Sequence, residues 1–335
     1  MTWFNVLTGF LEQSANDVRS NFRLDGTQLT SLVNNRTLDA GGFTTPSLSQ
    51  LRDTTGALAD SGRNLRINEL VGDVRLLHQD PANKHAVFQV ASQFNCLEMA
   101  SPHVTPEDGV GIYQEDLTQG PACSISAGAG TIFRNYFAEV NGRMGQTYDN
   151  QVDCLSEIGR HFNNEQHGLW TMQNGYCFPT SSGLAKIESQ LSNCVDHELD
   201  DIRAKLKVGV QSKTQVTIGD FDQLVTQVFC SALPIAYSEI ASSKWYYFPR
   251  LILDATYEAT FHVALQNLKN TGCNKLYLTL VGGGVFGNKL DWILSSIARS
   301  LEIFASAELD VYIVSYGTSK PEVANFLALQ NDNRH

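Results

Sequence analysis

No stretch of this sequence approaches the roughly 18 consecutive apolar residues that a bilayer-spanning helix needs, which argues against a membrane-embedded chain. Its seven cysteines (Cys96, Cys123, Cys154, Cys177, Cys194, Cys230 and Cys273) are scattered without one CxxC unit, and their number is odd. A disulfide scaffold is therefore excluded, and the expectation is reduced, mostly buried thiols in a reducing compartment. Positive charge is also scarce. Lys and Arg total 24 against 35 Asp and Glu, a formal net charge of -11, whereas a general nucleic-acid binder needs clustered Lys and Arg. The first twelve residues carry Trp3, Phe4, Val6, Leu7, Phe10 and Leu11 but neither a basic segment nor a small-residue cleavage site, so they do not read as a signal peptide. Internal repeats and low-complexity tracts are absent too. The expectation is an acidic, cytoplasmic globular protein without a membrane segment.

What is present suits a large core. Of the 335 residues 42% are hydrophobic and 10% aromatic, enough for one large domain or two small ones. Residues 1–65 are rich in Asn, Thr, Ser, Gly and Leu and read as an extension packed on the core, with short helices near 15–22 and 47–52. Strand patterns follow at 71–77 and 86–91, then a polar loop over 92–120 and a helix over 121–137. Two more helices are expected at 150–162 and 182–206, inside a helical insertion of about 145–215. The remainder alternates as strand 224–232, helix 251–268, strand 275–281, helix 289–304 and strand 309–315. Near-continuous apolar strands alternating with helices predict an α/β fold with a mostly parallel or mixed sheet covered on both faces. Residues 66–335 would form the catalytic domain.

The sharpest motif is the run Gly282, Gly283, Gly284, Val285, Phe286, Gly287, Asn288, which leaves an apolar strand and precedes a helical pattern. Successive glycines remove every Cβ, so backbone N–H groups can wrap a phosphate, and the following helix adds its positive end. Gly282, Gly284 and Gly287 also spell GxGxxG, but that dinucleotide fingerprint should open a βαβαβ half-domain, and fewer than two further units fit before His335. The phosphate inference survives; the NAD inference mostly does not, and a nucleotide-dependent enzyme such as a dehydrogenase stays a third reading.

These residues resemble the macrodomain superfamily, whose ADP-ribose phosphate loop reads Ser-Thr-Gly-Val-Phe-Gly-Tyr before the penultimate helix. Gly72-Asp73-Val74 resembles the family's Gly-Asp-Ile, taken here to open an early strand, whose Asp meets the adenine amine. The last strand, ending in Ser315 and Tyr316, occupies the place of further adenosine contacts. The resemblance spans about residues 67–320 and implies a three-layer macrodomain-like fold, a mixed central sheet with helices on both faces. It implies ADP-ribose as ligand and product, with no cofactor required. Where macrodomains carry Asn-Ala-Ala-Asn and a nearby glycine triplet, this chain has Ser92-Gln93-Phe94-Asn95 and, later, Thr118-Gln119-Gly120. Asn95 is the match for the distal-ribose asparagine, with Ser92 as the other register, and Gln119 and Gly120 should face the ribose. The pattern is most similar to the divergent arginine-specific ADP-ribosyl hydrolases typified by the bacterial effector MavL.

The segment from Glu98 to Asp116 gives an independent reason to expect catalysis. It holds Glu98, Glu107, Asp108, Glu115 and Asp116 and not one Lys or Arg. Hydrolysis of an N-glycosidic ADP-ribosyl bond passes through a cationic sugar, which a carboxylate can offset while it orients or deprotonates water. Carboxylates also match the guanidinium fork. Asp108 and Asp116 are the favoured catalytic acids, with Glu107 and Glu115 as adjacent substitutes. Gln114-Glu115-Asp116 faintly echoes the Gln-Glu-Glu of poly(ADP-ribose) glycohydrolases. Cys154, His161, His167 and Cys177 lack the close pairs of a zinc site, and no metal is expected. The sequence thus points to a monomeric hydrolase that removes mono-ADP-ribose from protein arginine. A non-catalytic ADP-ribose reader is the alternative.

Overall fold

A computed structural model describes residues 1–56, 62, 64–219 and 223–332. Seven strands form the central sheet: β1 (Gly42–Thr44), β2 (Arg66–Val71), β3 (Val87–Ala91), β4 (Gly209–Gln215), β5 (Leu224–Cys230), β6 (Lys275–Leu278) and β7 (Asp310–Ser315). Their spatial order is β1-β4-β5-β3-β6-β7-β2. The run from β5 to β2 is parallel, while β4 pairs antiparallel with both β1 and β5, so the sheet is mixed.

Alternation along the strands explains the two layers of helices. In β3, Phe88 stacks on His78 and on Tyr277, whereas its neighbour Gln89 donates to Thr260. In β5, Thr226 reaches Asn267 while Gln227 donates to the Cys123 carbonyl. One face is therefore covered by α1 (Val74–Gln79) and α2 (Gln119–Ser126), and the other by the long α4 (Tyr247–Thr271). Between α2 and α4 in sequence lies α3 (Gly128–Tyr136), and α5 (Leu290–Ile303) packs outside α4. Strands β3, β5 and β6, covered on both faces, are almost wholly buried, which is why their sequences run apolar without strict alternation, whereas β7 alternates buried with half-buried positions and the edge strand β2 is largely exposed.

Several boundaries differ from the sequence expectation. The strand expected at 71–77 is a helix from Val74, because the Asp73 carboxylate accepts the Arg75 N–H at 2.9 Å and caps it; the strand lies earlier, at 66–71. Gly72-Asp73-Val74 thus follows a strand rather than opening one. The helix expected over 121–137 breaks at Ala127 (φ -118°, ψ 58°) into α2 and α3. The break seats Gly128 where a Cβ would lie 2.5 Å from the Trp3 ring. Of 150–162 only Ser156–His161 is helical, and 182–206 is two helices, Ser181–Asn193 and Asp196–Arg203. The 145–215 segment also contains the hairpin Trp170–Gln173/Tyr176–Pro179 and ends in β4.

Within the first 65 residues, helix Trp3–Thr8 and a three-stranded meander accompany the expected short helices. Phe4, Leu7, Val18, Phe22, Leu29 and Leu38 share a second apolar core with Val110, Tyr113, Ile132 and Tyr136. Strand β1 joins the central sheet, and Leu48 and Leu51 enter the main core. Among the described residues no helix is long and apolar enough to cross a membrane. All seven cysteines are free thiols, five of them buried.

Candidate active site

The carboxyl ends of the five parallel strands open onto one cavity of about 670 Å³. Each sends the residues beyond its end into the wall: Gly72 and Asp73 after β2, Ser92 and Gln93 after β3, Ala232 after β5, Thr279–Phe286 after β6, and Tyr316 after β7. That edge is where open α/β sheets bind ligands, because strand ends there diverge into loops free to specialise.

The glycine loop lies along this edge. Gly282 has φ +75°, and a Cβ on it would sit 2.4 Å from that of Ala232 and 2.7 Å from Asn288 Nδ2. Gly283, Gly284, Val285 and Phe286 line the cavity with it. Gly287 (φ +74°) and Asn288 lie behind, where Asn288 Nδ2 donates to Leu233 O at 2.8 Å and braces the loop. The N–H groups of Gly284, Val285 and Phe286 find no acceptor among the described residues, leaving a row of donors beside the cavity.

At the far end, Asp73 is held by Arg75 through Nε at 3.1 Å and Nη2 at 2.7 Å. The side-chain bond to Arg75 is the main cause that lowers its pKa, against the effect of burial. Val74, Ser315, the exposed Tyr316 and Lys320 complete that end, and the Ser315 hydroxyl donates to Glu69 at 2.6 Å.

The remaining expected residues divide. Asn95 does not reach the cavity: it is fully buried, its Oδ1 accepting the Leu97 N–H at 3.1 Å and its Nδ2 donating to Gln151 at 2.9 Å. Ser92, the other register, does line it, as do Gln119 and Gly120. The Gln119 amide is occupied by backbone, donating to Gln89 O at 2.9 Å and accepting the Ala91 N–H at 3.0 Å.

Of the four acids named from the sequence, only Asp116 lines the cavity. Asp108 accepts from the Thr105 N–H at 2.8 Å, Glu107 from the Tyr148 N–H at 2.9 Å, and Glu115 is exposed. The cause is local geometry. Residues 106–108 and 111–115 form 3₁₀ turns, which rotate successive side chains by about 120°, so neighbouring acids point to different surroundings.

Glu98 carries the stronger credentials. It lines the cavity while only 4% exposed, and burial raises its pKa to about 8, assisted by Asp116 and opposed by Arg134 and a hydrogen bond from Ser124. Such a carboxyl is largely protonated at neutral pH. Its sequence signal was an acid between apolar Leu97 and Met99, a burial cue that counting charges along the loop overlooks. The other wall is aromatic: Tyr176, Tyr237 and Phe286 meet with ring centroids 5.3–5.7 Å apart. Trp3 also borders the cavity, its indole donating to Val110 O at 3.0 Å. Among the described residues no group of three His, Cys, Asp or Glu is placed to hold a metal.

The chain matches no protein-family model and no curated protein. Among solved structures it is similar to the poly(ADP-ribose) glycohydrolase of Deinococcus radiodurans in complex with ADP-ribose, at 13% identity and a TM-score of 0.44 over 87% of this chain and 94% of that one. The poly(ADP-ribose) glycohydrolase of Thermomonospora curvata aligns at 11% identity and 0.44 over 95% and 97%. At this distance the functional reading rests on the cavity.

Proposed function

We propose that this cavity binds ADP-ribose and that the protein hydrolyses the bond joining mono-ADP-ribose to a protein side chain, with arginine as the acceptor. One observation carries the reading: the free N–H groups of the glycine loop and the carboxyl pair Glu98 and Asp116 share a single cavity. The loop suits a diphosphate. Asp73 and Tyr316 suit adenosine at the far end, and Phe286 with Ser92 the distal ribose.

In the proposed reaction a water oxygen bonds to the anomeric carbon as the bond to the guanidino nitrogen breaks. The water's proton passes to protein, and the departing guanidine leaves as guanidinium. Asp116 is the group to orient the water and accept its proton. Glu98, protonated at neutral pH, is the group to deliver one to the departing nitrogen. A basic leaving group also suits a cavity lined by Glu98 and Asp116 in a protein whose net charge is -11. No cofactor enters these steps.

The test is release of ADP-ribose from arginine-, glutamate- and serine-linked ADP-ribosylated proteins, beside calorimetric binding of free ADP-ribose. Preferential cleavage of the arginine linkage supports the reading. Binding without cleavage of any linkage overturns it in favour of a reader, and tighter binding of NAD than of ADP-ribose overturns it in favour of a nucleotide-dependent enzyme of another class.

A further inference from the structure

Behind Glu98 lies a charge that the reaction above does not use. Arg134, in α3, is fully buried, its guanidinium 3.6 Å from the centre of the Phe229 ring. Nε donates to the Cys96 carbonyl at 2.7 Å, and Nη2 reaches the hydroxyls of Ser124 at 3.4 Å and Thr131 at 3.5 Å. Nη1 has no partner. An arginine buried in this way is strongly unfavourable unless an opposite charge lies near it. One carboxyl adjoins the cluster: Ser124 Oγ, which Arg134 touches, donates to Glu98 Oε1 at 3.1 Å.

We infer that Arg134 and Ser124 are a positioning pair for Glu98. The pair holds the turn from two sides, at the Cys96 carbonyl and at the Glu98 carboxyl two residues on. The Tyr113 hydroxyl, accepting the Glu98 N–H at 3.2 Å, fixes a third point. With Oε1 held from behind, one lone pair of the carboxyl is committed to the protein. Arg134 supplies the positive potential that lets a buried carboxyl lose a proton and regain it. The charged and titratable groups facing Glu98 are Arg134, Asp116, Tyr113 and Cys123. Of these Arg134 alone is cationic, so its removal and that of the Ser124 bond act in the same direction, toward a more tightly held proton.

The inference rests on the hydrolase reading for its purpose but not for its test. The carboxyl carbon of Glu98, assigned by its disappearance in Glu98→Gln, is titrated by NMR in the intact protein, which requires no turnover. Ser124→Ala, which removes one oxygen, should raise the titration midpoint by about 0.5–1 unit, and Arg134→Met by at least as much; Arg134→Lys, which keeps the charge, should shift it less. Where the wild type turns over, the pH limb of kcat should move with the midpoint, which loss of stability alone would not do. If Ser124→Ala and Arg134→Lys both fold and leave the midpoint in place, the positioning role is wrong, whatever becomes of Arg134→Met. A wild type that titrates as expected but cleaves no linkage overturns the hydrolase reading and leaves the pair standing.

Discussion

Glu12 Oε2 accepts the N–H of Gly111 at 2.6 Å across 99 residues of sequence. The same carboxylate takes the Val110 N–H at 2.9 Å and the Tyr136 hydroxyl at 2.6 Å, tying the acidic loop to the first helices of the chain. Each donor would be buried or half-buried without it. Glu12→Ala should therefore lower stability by about 2–3 kcal/mol in urea unfolding. ADP-ribose binding should weaken as well, because Val110 also anchors Trp3 at the cavity. Unchanged stability would mean that the loop holds itself.

Gly120 permits the closest approach in the site. A Cβ there would lie 2.0 Å from the Ala91 carbonyl oxygen and 2.3 Å from Glu98 Oε2. Gly120→Ala must displace α2 or the Glu98 turn, so it should reduce turnover by about tenfold or more and lower the melting temperature. Full activity in this variant would show that Glu98 has freedom the packing denies it.

Two positions of the glycine loop should separate folding from binding. Gly282 has positive φ and a Cβ on it would crowd Ala232 and Asn288, whereas a Cβ on Gly284 would meet nothing within 4 Å among the described residues. Gly284→Ala should keep wild-type stability yet weaken ADP-ribose binding about tenfold in calorimetry, since the methyl group stands where a phosphate must approach. Gly282→Ala should impair both. Undiminished affinity in Gly284→Ala would place the diphosphate elsewhere.

Substituting the two cavity acids should affect chemistry before affinity. Glu98→Gln and Asp116→Asn should each cut kcat by about 10²–10⁴-fold on an arginine-linked substrate, with ADP-ribose affinity within a few-fold of wild type. Asp108→Asn and Glu115→Gln, outside the cavity, should stay within a few-fold of wild-type kcat. Single-turnover assays with the four variants distinguish the two sets.

Glu98 also gives stability a pH signature. Burial raises its pKa from about 4.5 to about 8, so between those values the folded state keeps a proton that the unfolded chain releases. More protons bound in the folded state means that stability falls as pH rises through this window. The contribution is fully present below about pH 4.5 and lost by about pH 8. Glu98→Gln should flatten this part of the profile in urea unfolding measured from pH 5 to 9; an identical slope in both proteins would show that the carboxyl ionises normally.

The α/β class, the helix after the glycine loop and four of the five parallel strands were legible in the sequence, because strands buried on both faces leave unbroken apolar runs that water-facing segments cannot carry. The glycine run was legible as well, since removing several adjacent side chains has few purposes other than close backbone approach. Asp73 is singled out by resemblance and lines the cavity, but its local structure is not legible: the same polar residue that ends a strand can cap a helix, and only the carboxylate reaching the Arg75 N–H shows which it does. Strand β4 was hidden because Gln211, Ser212, Lys213 and Thr214 look like loop residues until β1 and β5 pair with them.

Among the acids, composition alone announced a carboxylate cluster, and tertiary structure decided which carboxyls reach the cavity. Along the chain only the apolar Leu97 and Met99 on either side set Glu98 apart from the other four. In the fold, 3₁₀ turns send Glu107, Asp108 and Glu115 outward, while Glu98 is sealed beside Ser124 and within reach of Arg134, residues 26 and 36 positions later. Desolvation and the field of a buried charge belong to three-dimensional surroundings, so no local spacing in the sequence encodes them.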